Sequence, residues 1–368
     1  MVGRHAGRQR RALIVMKRIT IRIATAGMLA VALAAPCRAA FKDPLDTPAM
    51  ASPLAARGQV NALAMAGQRA VAVGQRGHIL YSDDGGYHWT QASVPVSVDL
   101  TAVTFANARS GWAVGHGGVV LATRDGGASW TRQLDGRAIG KLLQSYYGGA
   151  APAGVGESEL AGLRQDAQRF ADEGPDKPFL DVWFENERSG YVVGLFNLIF
   201  KTDDGGANWR PLLERTDNPK QLHFNAIRAV GDDLYLAGEQ GMVLRLDPAS
   251  QRFRAVPTPY HGSFFGITGK PGAVLVYGLR GNAFRSGDRG ASWSKVETGV
   301  TAALTGATVA ADGRILLVSQ GGQVLASSDE GLSLVKLKLD RAVPASALLE
   351  TMGGRRIVAG ARGIHSQP

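Results

Sequence analysis

Gly111 to Trp130 reads GWAVGHGGVVLATRDGGASW, and the architecture follows from this stretch. It breaks into a short apolar strand (GWAVG), a glycine turn (HGG), a second strand (VVLAT) and a turn-forming octapeptide (TRDGGASW). Working outward, Leu100 to Phe105 reads as a preceding strand joined through a polar turn at Asn107 to Ser110, and Ser129 to Leu134 reads as a closing strand. The unit is four antiparallel strands.

The octapeptide recurs as Ser/Thr-x-Asp-x-Gly-x-x-Trp. It appears as SDDGGYHW at 82 to 89, TRDGGASW at 123 to 130, TDDGGANW at 202 to 209 and SGDRGASW at 286 to 293. A fifth copy, SSDEGLSL at 327 to 334, has lost the tryptophan, and a sixth around Asp247 to Phe253 keeps an acid and an aromatic. Successive closing positions are separated by 41, 79, 44, 40 and 41 residues, and a step of about forty residues is one propeller blade. The second strand of the unit recurs at Val71 to Gly74, Tyr191 to Gly194, Leu234 to Gly238, Val274 to Gly278, Ile315 to Ser319 and Ile357 to Gly360, which makes seven units. We therefore expect an all-β, seven-bladed propeller of four-stranded antiparallel blades over residues 40 to 368. The last unit runs out of chain, so residues 46 to 57 are expected to supply its outer strand and close the ring. The doubled gap holds an insertion at 135 to 178, read as two helices. Leu160, Leu163, Ala167 and Phe170 recur at helical spacing within Glu157 to Glu173, with Ser158 as a cap, and Ala138 to Tyr147 forms a shorter helix.

The octapeptide residues make sense as turn chemistry. Carboxylates and hydroxyls accept from nearby backbone N–H groups, glycine takes positive φ, and tryptophan covers apolar surface. On this reading Ser82, Asp84, Gly86 and Trp89 are structural, as are Thr123, Asp125, Gly127 and Trp130. So are Thr202, Asp204, Gly206, Trp209, Ser286, Asp288, Gly290 and Trp293, and in the fifth copy Ser327, Asp329 and Gly331. Asp83-Asp84-Gly85 resembles part of a calcium loop but lacks the further oxygen ligands and terminal glutamate that loop requires.

The formal charge of +10 is a property of the leader. Residues 1 to 39 hold eight basic residues and no acid, leaving the remainder close to balanced, so nucleic acid is not expected as a partner. A basic start, an apolar run from Ile19 to Ala35 and Cys37-Arg38-Ala39 read as a secretory signal cleaved after Ala39. Met16 is an alternative start. The run is shorter than the ~20 residues of a membrane span, and Pro36 precedes Cys37 where a lipid-anchor site would carry a small residue. Cys37 is the only cysteine, so a cleaved product contains no thiol chemistry, disulfide or cysteine metal site.

The pattern of Gly111 to Trp130 and its repeats resembles the Asp-box (BNR) propellers of the photosystem II assembly and stability factor family, over about residues 58 to 365. The resemblance implies a periplasmic or lumenal propeller that binds a protein partner during membrane-complex assembly, with no cofactor, no small-molecule substrate and no enzymatic activity. In an up-and-down blade, the turns between second and third strands share a face with the connections between blades. On that face Gln75-Arg76, His116, Phe196-Asn197, Glu239-Gln240, Leu279-Arg280, Gln320 and Ala361-Arg362 vary from blade to blade. Arg76, His116, Asn197, Glu239, Arg280, Gln320 and Arg362 are the candidate partner-binding residues, ringing a central opening partly roofed by the insertion.

Two other readings stay open. Sialidase-like glycoside hydrolases carry the same octapeptide, but no sialidase-type Arg-Ile-Pro segment occurs, and Glu185 and Glu187 occupy a turn. An accessory subunit of an envelope transporter would share the fold. Other enzyme signatures are absent: there is no Gly-x-Ser-x-Gly elbow and no phosphate loop. Ser292 and Lys295 belong to an octapeptide, and His5, His78, His88, His116, His223, His261 and His365 have no paired metal spacing.

Overall fold

The computed structural model describes residues 42–338 and 342–367, and there each repeated unit is an antiparallel sheet whose strands pair in chain order. The expected signal sequence at 1 to 39 lies outside the described residues. Seven sheets form the propeller, at 60–91, 100–134, 179–211, 224–255, 264–296, 304–336 and 347–367. Their inner strands are Val60–Ala66, Leu100–Phe105, Phe179–Phe184, Phe224–Val230, Phe264–Lys270, Leu304–Val309 and Ala347–Glu350. Each second strand packs against sheets on both sides, which is why it reads as an unbroken apolar run: Gly111–Gly115 is buried at every position.

Six inner strands carry a bulge at their second residue, where the register skips one position. The skipped residues, Asn61, Thr101, Leu180, Asn225, Phe265 and Thr305, turn toward the axis, and four of them stitch blades together. Asn61 Nδ2 donates to the Leu100 carbonyl at 2.7 Å, Thr101 Oγ1 to Phe179 at 2.7 Å, Asn225 Nδ2 to Phe264 at 2.8 Å and Thr305 Oγ1 to Ala345 at 2.9 Å.

The last sheet has three strands, and the expected fourth from residues 46 to 57 is not formed. Pro48 and Pro53 remove ladder donors from that segment, and its N-terminal end is held elsewhere. Pro44 accepts from Ser97 N at 2.8 Å, Ala49 N donates to Val94 O at 3.0 Å, and Asp46 pairs with Arg137 at 2.7 Å, all on the first two blades and the insertion. Only Ala55–Arg57, a single 3₁₀ turn, reaches the last blade, beside Gly363. The ring closes through side chains instead. Ala70, Leu349 and Ile357 form one core with Leu63, Met65, Trp89 and Ile364, and Ser366 Oγ donates to Gly86 O at 2.7 Å.

Between the second and third blades stand α1 (Gly136–Gly148) and α2 (Glu157–Glu173). Asp135 caps α1 by accepting from Arg137 N at 3.0 Å. The start of α2 corrects the sequence reading: its N-cap is Gly156, with no side-chain cap, and Ser158 lies inside the first turn. Leu160, Leu163, Ala167 and Phe170 are the buried face of α2. Close packing of the two helices needs Gly140, because a Cβ there would lie 2.4 Å from the Ala171 Cα.

Candidate protein-binding face and central channel

The Asp-box turns all project from one face of the ring, and their geometry repeats from blade to blade. In the second blade Thr123 Oγ1 donates to Asp125 Oδ1 at 2.7 Å and accepts from Gly127 N at 3.0 Å, while Asp125 Oδ1 also accepts from Ser129 N at 3.0 Å. The first, third, fifth and sixth blades repeat the hydroxyl bridge through Ser82, Thr202, Ser286 and Ser327. Each box glycine takes positive φ and packs on the preceding blade; Gly86 lies on Ile357 and Gly290 on Val256. Trp130 Nε1 donates to Gly127 O at 3.0 Å and Trp89 Nε1 to Gly86 O at 3.2 Å, whereas Nε1 of the buried Trp209 and of the half-buried Trp293 finds no such acceptor among the described residues. The degenerate fourth-blade copy forms a different turn, with Ser250 Oγ on Asp247 Oδ2, and the fully buried Phe253 takes the place of tryptophan.

These bonds hold the box carboxyls below the ordinary range. Ser292 brings Asp288 down to about 2, Ser333 does the same for Asp329, and the His88 backbone N–H leads the lowering of Asp84. A carboxyl depressed in the fold binds fewer protons than in the unfolded chain, so stability is lost as pH falls from about 4 toward 2. The melting temperature is accordingly expected to be flat between pH 7 and 5 and to drop below about pH 4, with less of a drop in Asp288→Asn/Asp329→Asn; differential scanning fluorimetry across that range checks it.

The opposite face carries the second-to-third turns. Arg76, Gln240 and Arg280 adopt φ of 55°, 53° and 57°, each followed by a glycine. That glycine is required: at Gly77 a Cβ would come within 2.1 Å of the Val96 carbonyl, and at Gly281 within 2.1 Å of Val300. Arg76, His116, Arg280, Gln320 and Arg362 are exposed, and the three guanidinium groups make no ion pair among the described residues. Glu239 is half-buried, its Oε2 accepting from His223 N at 2.9 Å. Asn197 is not available to a partner. It is buried, its Oδ1 accepts from Thr216 Oγ1 at 2.8 Å and Asn218 Nδ2 at 3.1 Å, and its Nδ2 donates to Leu213 O at 3.0 Å. It pins the 212–222 connection.

That connection also anchors the insertion, for Tyr147 Oη donates to the buried Glu214 at 2.7 Å and accepts from Leu213 N at 3.2 Å. The helices thus stand over the third blade. No insertion residue is among those lining the axial cavity. Glu187, considered above as an acid, ties the second and third blades together by accepting from Asn107 Nδ2 at 2.6 Å and Ser110 Oγ at 3.0 Å.

The axial cavity, about 170 Å³, is built from inner strands of all seven blades just below the second-to-third turns. It contains a group that the sequence reading missed. Asp181 is buried with Oδ1 on Val182 N at 2.9 Å and Oδ2 on Ile227 N at 2.9 Å and Arg228 Nη1 at 2.6 Å. Burial pushes its carboxyl up, against the opposing pull of Arg228. The signal that could have found it is alignment of the seven inner strands, since Asp181 stands where the others have only alanine or glycine: Ala62, Ala102, Ala226, Gly266, Gly306 and Ala347.

Fold and turn geometry together define an Asp-box β-propeller, with one face rigidified by the boxes and the other left variable. The family model described as photosynthesis system II assembly factor YCF48 matches residues 61–143 and 170–334, and the chain belongs to that family. A curated relative, the photosystem II assembly lipoprotein Ycf48 of Synechococcus sp. (strain CC9902), is 28% identical over 164 residues, 43% of this chain. The chain spans about half of that relative's length, 48%. Among solved structures, YCF48 bound to D1 peptide aligns with a TM-score of 0.60 at 15% identity, over 89% of this chain and 97% of that one. YCF48 from Cyanidioschyzon merolae gives 0.57 at 17% identity over 86% and 96%. The WD40 propeller domain of Doa1 gives 0.58 at 11% over 88% and 95%, so at this level structural likeness speaks for the fold alone.

Proposed function

We propose that this protein is a non-catalytic assembly or stability factor for a membrane protein complex, exported across the membrane and engaging a protein partner through the face of the second-to-third turns. The family match carries the reading. Two relatives point the same way: one is named a photosystem II assembly lipoprotein, and the other is a YCF48 bound to D1 peptide. Exposed, unpaired Arg76, Arg280 and Arg362 suit an acidic segment of a partner, because loops on a rigid scaffold vary without disturbing the fold. Reversing all three to glutamate is expected to reduce partner capture from a detergent-solubilised envelope at least about tenfold while leaving the melting temperature within about 2 °C. Unchanged capture removes this face from the account.

Glu187, the acid a glycosidase reading would use, is engaged between blades, accepting from Asn107 and Ser110. A transporter subunit would stay with its finished complex, whereas an assembly factor is expected with precursors only; gradient fractionation of the envelope separates the two. Export rests on the leader. We place cleavage after Ala39 with Cys37 removed, although the curated relative is named a lipoprotein. The intact mass of the mature protein is expected to begin at Ala40, and an acylated Cys37 would contradict it.

A further inference from the structure

When the seven inner strands are aligned on their bulges, three neighbouring blades break the pattern at one place. The third blade has Asp181 where the others have alanine or glycine. The fourth has Arg228 where the others have Ala64, Thr104, Trp183, Thr268, Thr308 and Leu349. The fifth has Tyr277 on its second strand, opposite Gly266, where the others have valine or alanine. A Cβ at Gly266 would lie 2.1 Å from the Tyr277 hydroxyl, so the glycine is the gap through which the phenol reaches the axis. All three side chains belong to blades next to one another, and Asp181, Arg228 and Tyr277 line the same cavity.

The hydrogen-bond inventory of this cluster is lopsided. Asp181 has both oxygens engaged, on two backbone N–H groups and on Arg228 Nη1. Nη1 also donates to Ile227 O at 2.6 Å and Val182 O at 3.3 Å, which fixes the guanidinium plane. Nε and Nη2 of Arg228 have no partner among the described residues, although they carry three N–H donors. The Tyr277 hydroxyl has none either, and Tyr277 is 5% exposed. The Arg228 side chain is 39% exposed, so these donors face the cavity and its solvent with no protein acceptor among the described residues, free to meet an acceptor that enters.

We propose that the axial cavity is a carboxylate-binding site in which Arg228 Nε and Nη2 and the Tyr277 hydroxyl receive the two oxygens, with Asp181 as the positioning residue that orients Arg228. A carboxylate fits better than a phosphate because Asp181 already balances Arg228, so the site accommodates a single charge through directed bonds and has no excess positive charge for two. Its volume of about 170 Å³ holds a small acid or the terminal residue of a chain, being close to the roughly 150 Å³ that admits benzene. The cavity opens on the face of the second-to-third turns, so a partner's chain end and a free small acid are both sources of the same chemistry. The site does not depend on that face being the docking surface.

Ligand-observed NMR titrations of the mature protein test it, with acetate against acetamide and trialanine against trialanine amide. The free acids are expected to bind and both amides to fail. Tyr277→Phe, which keeps the ring over Gly266, should weaken the acids by at least about fivefold with an unchanged melting curve. Asp181→Asn/Arg228→Gln should abolish binding. Trialanine binding about tenfold tighter than acetate identifies a chain end as the ligand, and equal binding identifies a small acid. If acids and amides behave alike, or if Tyr277→Phe binds the acids as tightly as the parent, the cavity holds only water and the proposal is overturned.

Discussion

Trp112→Ala is expected to destabilise the propeller by about 3–5 kcal/mol, the range for removing a fully buried tryptophan and leaving a cavity. Trp112 is completely buried on the second strand of its blade and stacks face to face on Phe184 of the next, with ring centroids 3.4 Å apart and planes 4° from parallel. Its Nε1 donates across the same interface to Gly205 O at 3.1 Å, inside the third-blade Asp box, and Arg124 covers it at 5.0 Å. Phe184 in turn meets Trp209 edge to face at 6.1 Å. One side chain thus joins two sheets, a box turn and an aromatic column. Truncation opens the cavity and removes the indole donor from the Gly205 carbonyl, which keeps Gln133 Nε2 at 2.8 Å, whereas Trp112→Phe keeps the stacking surface and should lose less than half as much. Urea midpoints at constant m value provide the comparison.

The second large effect is expected at the channel. Arg228→Met leaves Asp181 buried without its counter-charge, which typically costs about 3–5 kcal/mol. We expect about 3, because the Val182 and Ile227 N–H groups remain on the carboxylate. The pH dependence identifies the cause. Burial already pushes the Asp181 carboxyl up in the parent protein, and removing the cation pushes it further. A carboxyl raised in the fold destabilises as pH rises through its folded value, so the deficit of Arg228→Met should shrink on going from pH 8 to pH 5 as Asp181 takes up a proton. Asp181→Asn/Arg228→Met should recover part of the loss at pH 8. A deficit equal at both pH values would mean that lost packing, and not a stranded charge, is responsible.

The architecture was legible because each blade repeats local chemistry that does not depend on distant contacts. The hydroxyl-carboxylate bridge of Thr123 and Asp125 closes within five residues, and the buried second strands announce themselves as apolar runs. The helical face of α2 was legible for the same reason, from spacing alone. What failed depended on partners far along the chain. Residues 46 to 57 were expected to complete the last sheet on the logic of ring closure, but Asp46 is drawn to Arg132 and Arg137 of the second blade and insertion, and two prolines deny the ladder its donors. Asn197 looked like a turn residue offered to solvent until the 212–222 connection folded over it. Asp181, Arg228 and Tyr277 are 96 residues apart from first to last and meet only because three blades converge on the axis.

The central claim is that the face of the second-to-third turns meets a membrane-complex precursor while the Asp-box face is occupied with holding the blades together. Photocrosslinking in the intact envelope tests it directly, with the crosslinker installed in turn at Arg76, Arg280 and Arg362 and, on the opposite face, at Tyr87 and Asn208. The account predicts adducts to a subunit of an unfinished membrane complex from the three arginine positions and none from Tyr87 or Asn208. Adducts confined to the Asp-box positions, or found only in a finished complex, would contradict it.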